Sequence, residues 1–387
     1  MKNKIKLCVI PSTFLPIIGG AEIQCHNFSN LMVKKNIHID LWSLKKNKVK
    51  NNLYNIKYFN IFILNFVYFF EYYLNLNFSF ILRKYLRTID QKYKYDIYHF
   101  HSLNFKLLQI IRELKKINKK VVITFQGADI QIKKKINYGY RLKTKYDSLL
   151  KSEIRKVDLL HAISDNISKD LFRLGVKTNK IIKIPNTVYL NKVNSISVNK
   201  KNKYFNLLTV ARFAEKKKGF DFIELLAKQL KEKISFKWTI IGRDSNKIYN
   251  YKFARDNKDL FECVPQINND KEFFFPNSNL IKYYKRANIY VHLSRIESFG
   301  ISIIEAMSAN LPVLAIKAKG SNELVKNNIN GMFFNLEKNN FLKKVLLIKQ
   351  KNFKSLNLRK YNKSYLEKYD LEIATNKMIK EYHKLII

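Results

Sequence analysis

Short apolar runs alternate along the chain with longer stretches of helical period. In the first half IKLCVI (5–10) leads into a helical pattern from about Ala21 to Lys35, followed by HIDLWS (38–43), an aromatic-rich helical region and DIYHF (96–100). KKVVITF (119–125), a helix through Tyr138–Val157 and LLHAI (159–163) continue the alternation. Residues Val188–Lys203 break it: they are polar, rich in Asn and Lys, and read as a linker. The pattern then restarts with FNLLTVA (205–211), a helix from about Gly219 to Lys231, FKWTIIG (236–242) and LFECV (260–264). ANIYVHLS (287–294), a helix near Ile301–Ala309 and LPVLAI (311–316) follow, and the tail from about Phe353 is helical. Runs of strand length separated by helices predict parallel sheets covered on both faces.

The expected fold class is therefore α/β, with two doubly wound, Rossmann-like parallel-sheet domains facing a central cleft. The expected divisions are a first domain over 1–187, a linker over 188–203, a second domain over 204–365, and a final helix over 366–387 packing back on the first. Ligands of open α/β sheets bind at the carboxyl ends of the strands, so the cleft is where chemistry is sought.

Composition changes this picture in one respect. Of 387 residues 47% are hydrophobic and 27% charged, which excludes global disorder and a collagen-like repeat. Lys and Arg number 73 against 30 Asp and Glu, a net charge of +43. Such an excess favours polyanions, anionic lipid or phosphorylated small molecules, and compositional drift toward Lys, Asn and Ile is an equal source of it. Cys8, Cys25 and Cys263 form no metal-type spacing and no even framework, which suggests a reduced, cytoplasmic protein. The apolar run Ile5–Ile10 is too short for a signal peptide and reads as a strand. The aromatic stretch Tyr58–Leu86 is interrupted by Glu71 and several Asn, so it does not span a bilayer. It is either a buried core helix or an amphipathic surface on a membrane, bracketed by Lys34, Lys35, Lys45, Lys46, Lys48 and Lys50 before it and Arg83, Lys84 and Arg87 at its end.

The richest segment is 292–334. Glu297 follows an apolar strand, and Glu305 lies eight positions on, inside the next helix. Ser298, Phe299 and Gly300 form the turn between, and Ile301 opens the helix. A helix N-terminus at a strand end offers backbone N–H groups and a positive dipole end to phosphate or sugar hydroxyls. Glu297 would reach a ligand from the loop, and Glu305 could accept two hydrogen bonds from a diol such as ribose.

ESFGISIIEAMSANLPV (297–313) resembles the donor-site signature of the glycosyltransferase family 4 type, retaining enzymes of the GT-B fold, with Asn310 where Gly is usual. Other landmarks of that family fall in order. PIIGGAE (16–22) resembles its glycine loop, with Gly19 and Gly20 able to approach a diphosphate. ARFAEKKKGFDF (211–222) resembles the Arg and Lys-Gly pair that grips the donor pyrophosphate, giving Arg212 and Lys218, with Lys217 a rival for the second place. In TFQGADI (124–130) Gln126 stands where relatives carry His; Gln can hydrogen-bond a sugar hydroxyl but cannot titrate near neutrality.

The resemblance covers nearly the whole chain, more specifically in the second half. It implies a metal-independent hexosyltransferase-type enzyme without a cofactor. A nucleoside-diphosphate sugar, a UDP-sugar foremost, is the co-substrate, and a glycan or lipid-linked acceptor of surface-polysaccharide synthesis receives the sugar. Glu297 and Gln126 are the expected catalytic residues; Gly19, Gly20, Arg212, Lys218, Glu297, Phe299, Gly300, Ile301 and Glu305 are the expected donor ligands. No DxD occurs and no metal site is expected. An anionic membrane surface is a candidate partner and nucleic acid is not, since no nucleic-acid module is recognised. Three other readings stand beside this one: a sugar-nucleotide epimerase of the same fold, a degenerate non-catalytic partner kept open by Gln126, and a polyanion-binding protein.

Overall fold

The computed structural model describes residues 4–46, 49–199, 203–267, 272–350 and 355–387, with no side chains given for 355–357; Lys48 lies outside the described residues. The chain forms two compact units, one of Met1–Pro185 with Ala374–Ile387, the other of Asn186–Ile373.

In the first unit seven strands form one sheet: β1 (Lys6–Pro11), β2 (His38–Ser43), β3 (Asn55–Tyr58), β4 (Ile97–His101), β5 (Val121–Phe125), β6 (Leu159–Ala162) and β7 (Ile181–Lys183). Their order is β3-β2-β1-β4-β5-β6-β7, all parallel. Leu7, Ile10, Ile97, Phe100, Val121, Val122 and Ile123 are fully buried, as strands covered on both faces require. The crossovers are α1 (Gly20–Lys34), α2 (Ile61–Leu74), α3 (Ser79–Tyr93), α4 (Phe105–Lys116), α5 (Thr144–Ile154) and α6 (Asp165–Arg173).

The second unit repeats the plan. It begins with α7 (Leu190–Ser195) and holds β8 (Phe205–Val210), β9 (Phe236–Ile241), β10 (Phe261–Val264), β11 (Ile289–His292), β12 (Val313–Ile316) and β13 (Gly331–Phe334). Their order is β10-β9-β8-β11-β12-β13, again parallel throughout. Its helices are α8 (Glu215–Lys218), α9 (Ile223–Lys231), α10 (Lys252–Asp256), α11 (Ser278–Arg286), α12 (Ile301–Ser308), α13 (Lys319–Leu324), α14 (Phe341–Gln350) and α15 (Ser355–Leu366). The last helix, α16 (Leu371–Ile386), starts in this unit and belongs to the first from Ala374 on. Trp238, Phe236, Phe220 and Phe341 fill the second core.

Four local expectations are corrected. The stretch from Val188 is not simply a polar linker: α7 buries Val193, and Val188 exchanges backbone hydrogen bonds with Tyr369 and Leu371. Val193 and the backbone bonds of Val188 tie down a short helix that is mostly polar. The helix expected over Tyr138–Val157 is only α5, because the backbone of Tyr138 pairs with Lys133 in a bridge instead of entering a helix. The helix expected from Gly219 starts at Ile223, after a turn of 3-10 helix over Phe220–Phe222. Finally β3, β7 and β13 were not legible, each being four residues or fewer at a sheet edge, too short for a period.

The aromatic region is not the buried core helix that was one of its two readings. Of α2 only Leu64 and Val67 are buried, while Phe62, Phe69 and Tyr73 are 82%, 49% and 60% exposed. No helix among the described residues is long and apolar enough to cross a membrane.

Candidate functional site

In the second unit the site grows from two strand-to-helix junctions on neighbouring strands. After β8 the exposed turn carries Arg212, and the one-turn helix α8 carries Lys217 and Lys218. α8 ends because Gly219 takes φ 72°, and a Cβ there would lie 2.2 Å from the carbonyl oxygen of Leu293, just past β11. Only glycine lets the lysine run approach the end of β11 so closely. Arg295 secures the contact: its N–H donates to the Lys217 carbonyl at 3.0 Å, and its guanidinium pairs with Asp221 at 2.5 Å.

The second junction follows β11. Its last residue is His292, the loop delivers Glu297, and α12 opens at Gly300, which takes φ 104° and brings no side-chain cap. Lys218 Nζ lies 2.8 Å from Glu297 Oε2, and His292 Nε2 stands 3.5 Å from the same oxygen, too far for a hydrogen bond. Burial would raise the Glu297 carboxyl, but Lys218 and then His292 outweigh it and hold it at about 2. Burial lowers His292 to about 4 despite Glu297, so the imidazole is neutral near neutrality. Burial, then Lys218 and Arg212, push the Lys217 ammonium down to about 8, against the pull of Glu297. Three cations thus share one region with one ionised carboxylate. The region keeps a positive excess suited to a diphosphate.

Glu305 is in a different state. It is 6% exposed, and burial raises its carboxyl to about 7 although the Tyr284 hydroxyl donates to Oε2 at 2.8 Å. The phenol of Tyr290, bonded to Ser302 Oγ at 2.7 Å, feels the charges of both Glu305 and Glu297. Two glutamates on one segment are therefore poised differently: one fixed as an anion by a lysine, the other near the midpoint of its titration. The Phe299 side chain is buried against the edge of Tyr369, ring centroids 5.7 Å apart, so this turn offers a ligand its backbone rather than its ring.

The remaining sequence-derived candidates belong to the first unit. Gly19 caps the N-terminus of α1 and Gly20 begins it. The Glu22 carboxylate, held by the Thr13 hydroxyl, is folded back on this turn, where a Cβ on Gly19 would lie 2.6 Å from Oε2. Gln126 follows β5 on a loop whose backbone is pinned by Asp129: the buried carboxylate accepts the N–H groups of Gln126 at 3.2 Å and Gly127 at 2.8 Å. The second unit therefore brings Arg212, Lys218, Glu297, Gly300 and Ile301 into one cluster, with Glu305 a turn further along α12. Gly19, Gly20 and Gln126 belong to the chain's other unit.

Sequence reasoning missed His292, Tyr284 and Asp129. The Gly-x-Asp spacing at 127–129 was a usable signal for the last. Nothing in the sequence couples Tyr284 to Glu305, 21 residues away. Among the described residues no group of three or more His, Cys, Asp or Glu is placed to hold a metal ion.

Two parallel sheets of this order are the plan of a GT-B glycosyltransferase, and the comparisons agree. The family model for glycosyl transferases group 1 matches residues 192–365, and that for glycosyltransferase family 4 matches residues 18–192. The chain belongs to this glycosyltransferase family.

An uncharacterized glycosyltransferase of Methanocaldococcus jannaschii is 24% identical over 99% of this chain and 98% of its own length. The amylovoran biosynthesis glycosyltransferase AmsK of Erwinia amylovora is 27% identical over 57% of this chain, and the match spans 53% of the relative's length. Among solved structures, a glycosyltransferase of Rickettsia africae superposes with a TM-score of 0.73 at 17% identity, covering 99% of both chains. Anabaena HepE in complex with UDP and glucose gives 0.70 at 14% identity, covering 98% of this chain and 100% of that one.

Proposed function

We propose that the chain is a retaining glycosyltransferase that uses a nucleoside-diphosphate sugar, a UDP-sugar foremost, and needs no divalent metal. The acceptor is a glycan or lipid-linked saccharide of surface-polysaccharide synthesis, met at the inner face of a membrane. The observation that carries this reading is the cluster of Arg212, Lys217 and Lys218 around the ionised Glu297 at the mouth of α12.

In this reading the pyrophosphate lies against Arg212, Lys218 and the backbone of the turn at Phe299–Ile301. The diphosphate gains negative charge as the sugar bond breaks, and these fixed cations stabilise it without the reorganisation water would need. Glu297 faces the transferred sugar and orients it through the hydroxyls. Glu305 accepts from the ribose diol, which favours its ionised form over the protonated one. The first unit supplies the acceptor side, with Gln126 orienting a sugar hydroxyl. The departing phosphate oxygen takes the acceptor proton on the face from which the sugar leaves, so configuration is retained. The UDP and UDP-glucose complexes of HepE support the donor class, and the biosynthetic role in AmsK's name supports the acceptor class.

The test is thermal stabilisation of the purified protein by UDP, GDP and ADP, with and without EDTA. Saturation at 100 times Kd adds about 2.7 kcal/mol, a shift easily read. Stabilisation by one diphosphate and unchanged turnover in EDTA are expected. Turnover abolished by EDTA and restored by manganese would overturn metal independence. Tight, salt-steep DNA binding without diphosphate stabilisation would return the charge excess to a polyanion binder.

A further inference from the structure

Helix α2 is apolar on both sides, yet the fold uses only one of them. Leu64 and Val67 face the core, and the Glu71 carboxylate beside them is gripped by the Arg112 guanidinium at 2.5 and 2.8 Å. That bidentate pair fixes the rotation of the helix, because turning α2 to bury its other side would break the pair. The other side is a stripe at helical spacing, Phe62, Phe66, Phe69 and Tyr73, running about 16 Å at the helical rise. Phe66 packs on Phe70 and Phe78 with centroids 4.5 and 5.4 Å away, which continues the patch to the start of α3. There Phe80 is 61% exposed.

Scattered surface aromatics need no explanation, but a continuous patch of this kind marks an interaction surface. Its rim is cationic. Lys106 donates to Asn65 at 2.6 Å and lies 5.0 Å over the Tyr68 ring. Lys145 binds the Tyr72 carbonyl and Asn75. On α3, Lys84 and Arg87 follow Phe80 at the spacing of one helix face, and both are exposed. Among the described residues none of these four cations forms an ion pair with a carboxylate.

We propose that the outer face of α2 and the first turns of α3 is a docking surface for an anionic lipid bilayer. The aromatic stripe lies in the headgroup region, parallel to the membrane plane, and the lysines reach the phosphates. A second copy of the chain is the poorer occupant. It carries the same +43 and the same cationic rim, and a two-fold contact would set like charges against each other. A bilayer supplies both what the stripe lacks and what the rim attracts, through two individually weak signals. That the acceptor is delivered from this bilayer rests on the proposed function above, whereas the docking does not.

Sedimentation of the full chain with sucrose-loaded vesicles tests this. Partition into vesicles with about 30 mol% phosphatidylglycerol should exceed that into neutral vesicles by about tenfold or more and fall in high salt. Phe62→Ser with Phe69→Ser and Phe80→Ser should lower partition about tenfold or more while leaving the melting temperature unchanged, since these side chains are exposed. Lys84→Glu with Lys106→Glu and Lys145→Glu should erase the preference for anionic vesicles. Wild-type partition by the aromatic triple variant overturns the proposal, as does failure of the parent chain to bind at low salt. A dimer dissolved by the aromatic variant, without vesicle binding, overturns it in favour of self-association. The UDP melting shift on the same preparation separates the two readings: a shift without vesicle binding sinks only the docking, and vesicle binding without any diphosphate shift sinks only the donor site.

Discussion

The two units share one strand order over six strands, and in both a histidine stands at the end of the strand beside the first: His101 on β4 and His292 on β11. Their surroundings differ completely. In the first unit His101 packs on His99, ring centroids 4.3 Å apart, and His99 and His161 belong to a buried neutral chain. His161 Nε2 donates to the Ile184 carbonyl at 2.6 Å, which leaves its Nδ1 to accept from Thr124 at 2.8 Å. Thr124 in turn accepts from His99 Nε2 at 2.7 Å, and His99 Nδ1 accepts from the Tyr382 hydroxyl of α16 at 2.6 Å. Each group has one role, and no charge is needed. In the second unit the same strand end meets Lys218 and Glu297, and the histidine is one wall of a charged site. Topology brings a strand end to the same place twice. The partners on the following loop decide whether it becomes structure or chemistry.

The sharpest way to break this comparison is Glu297→Gln. Transfer should fall about 10²–10³-fold, the scale for losing one charged transition-state contact. UDP binding should stay within a few-fold of the parent or tighten, because Lys218 loses its competing partner. Binding and turnover lost together would make Glu297 a nucleotide ligand.

Acid titration of stability comes next. Burial lowers His161 to about 4 from an ordinary 6.5, and His101, pressed further by His161, to about 3. Above about 6.5 both states are neutral and the histidines contribute nothing to the pH dependence. As pH falls below that value the unfolded chain takes up protons that the fold refuses. Stability should therefore drop between about pH 6.5 and 4, by about 3 kcal/mol from His161 alone. Equilibrium urea unfolding at stepped pH reads this directly. His161→Asn should flatten the slope, and His292→Asn, whose imidazole burial lowers to the same value, should flatten it by a similar amount.

Arg212→Ala should weaken UDP by about 10–100-fold, the worth of one charge-assisted contact, and uridine hardly at all. Equal losses in calorimetry would remove Arg212 from the pyrophosphate. The smallest effect belongs to Glu305. With its carboxyl near 7, uridine affinity should rise several-fold from pH 6 to 8 as the acceptor ionises. Tyr284→Phe, which deletes the bond favouring the anion, should move that midpoint upward. Uridine is the probe because its lack of phosphate leaves Glu305 as the titrating partner. A flat profile would mean that the diol binds elsewhere.

Much of the architecture was legible because buried parallel strands are short runs of Leu, Ile, Val and Phe that recur between helical stretches. Part of the charged cluster in the second unit was legible too, since Glu297, Gly300 and Glu305 sit on one continuous segment. Asn310 illustrates how local a motif's demand is: it replaces a glycine and takes the left-handed φ of 56° that asparagine tolerates. The short edge strands were not legible, and neither was the break at Tyr138, whose backbone is claimed by Lys133 through a bridge that no period announces.

By itself, then, the sequence determined the two sheets, their parallel sense and the residue types gathered at the candidate site, because those follow from local pattern and spacing. Only the tertiary structure decided which groups share a field. It set Lys218 rather than solvent beside Glu297, Tyr284 under Glu305 and Tyr382 on His99, pairs 79, 21 and 283 residues apart. It also decided which side of the largely apolar helix α2 would face water, through the Arg112–Glu71 pair 41 residues apart. Charge state and exposure depend on neighbours in space, and a linear pattern carries no record of them.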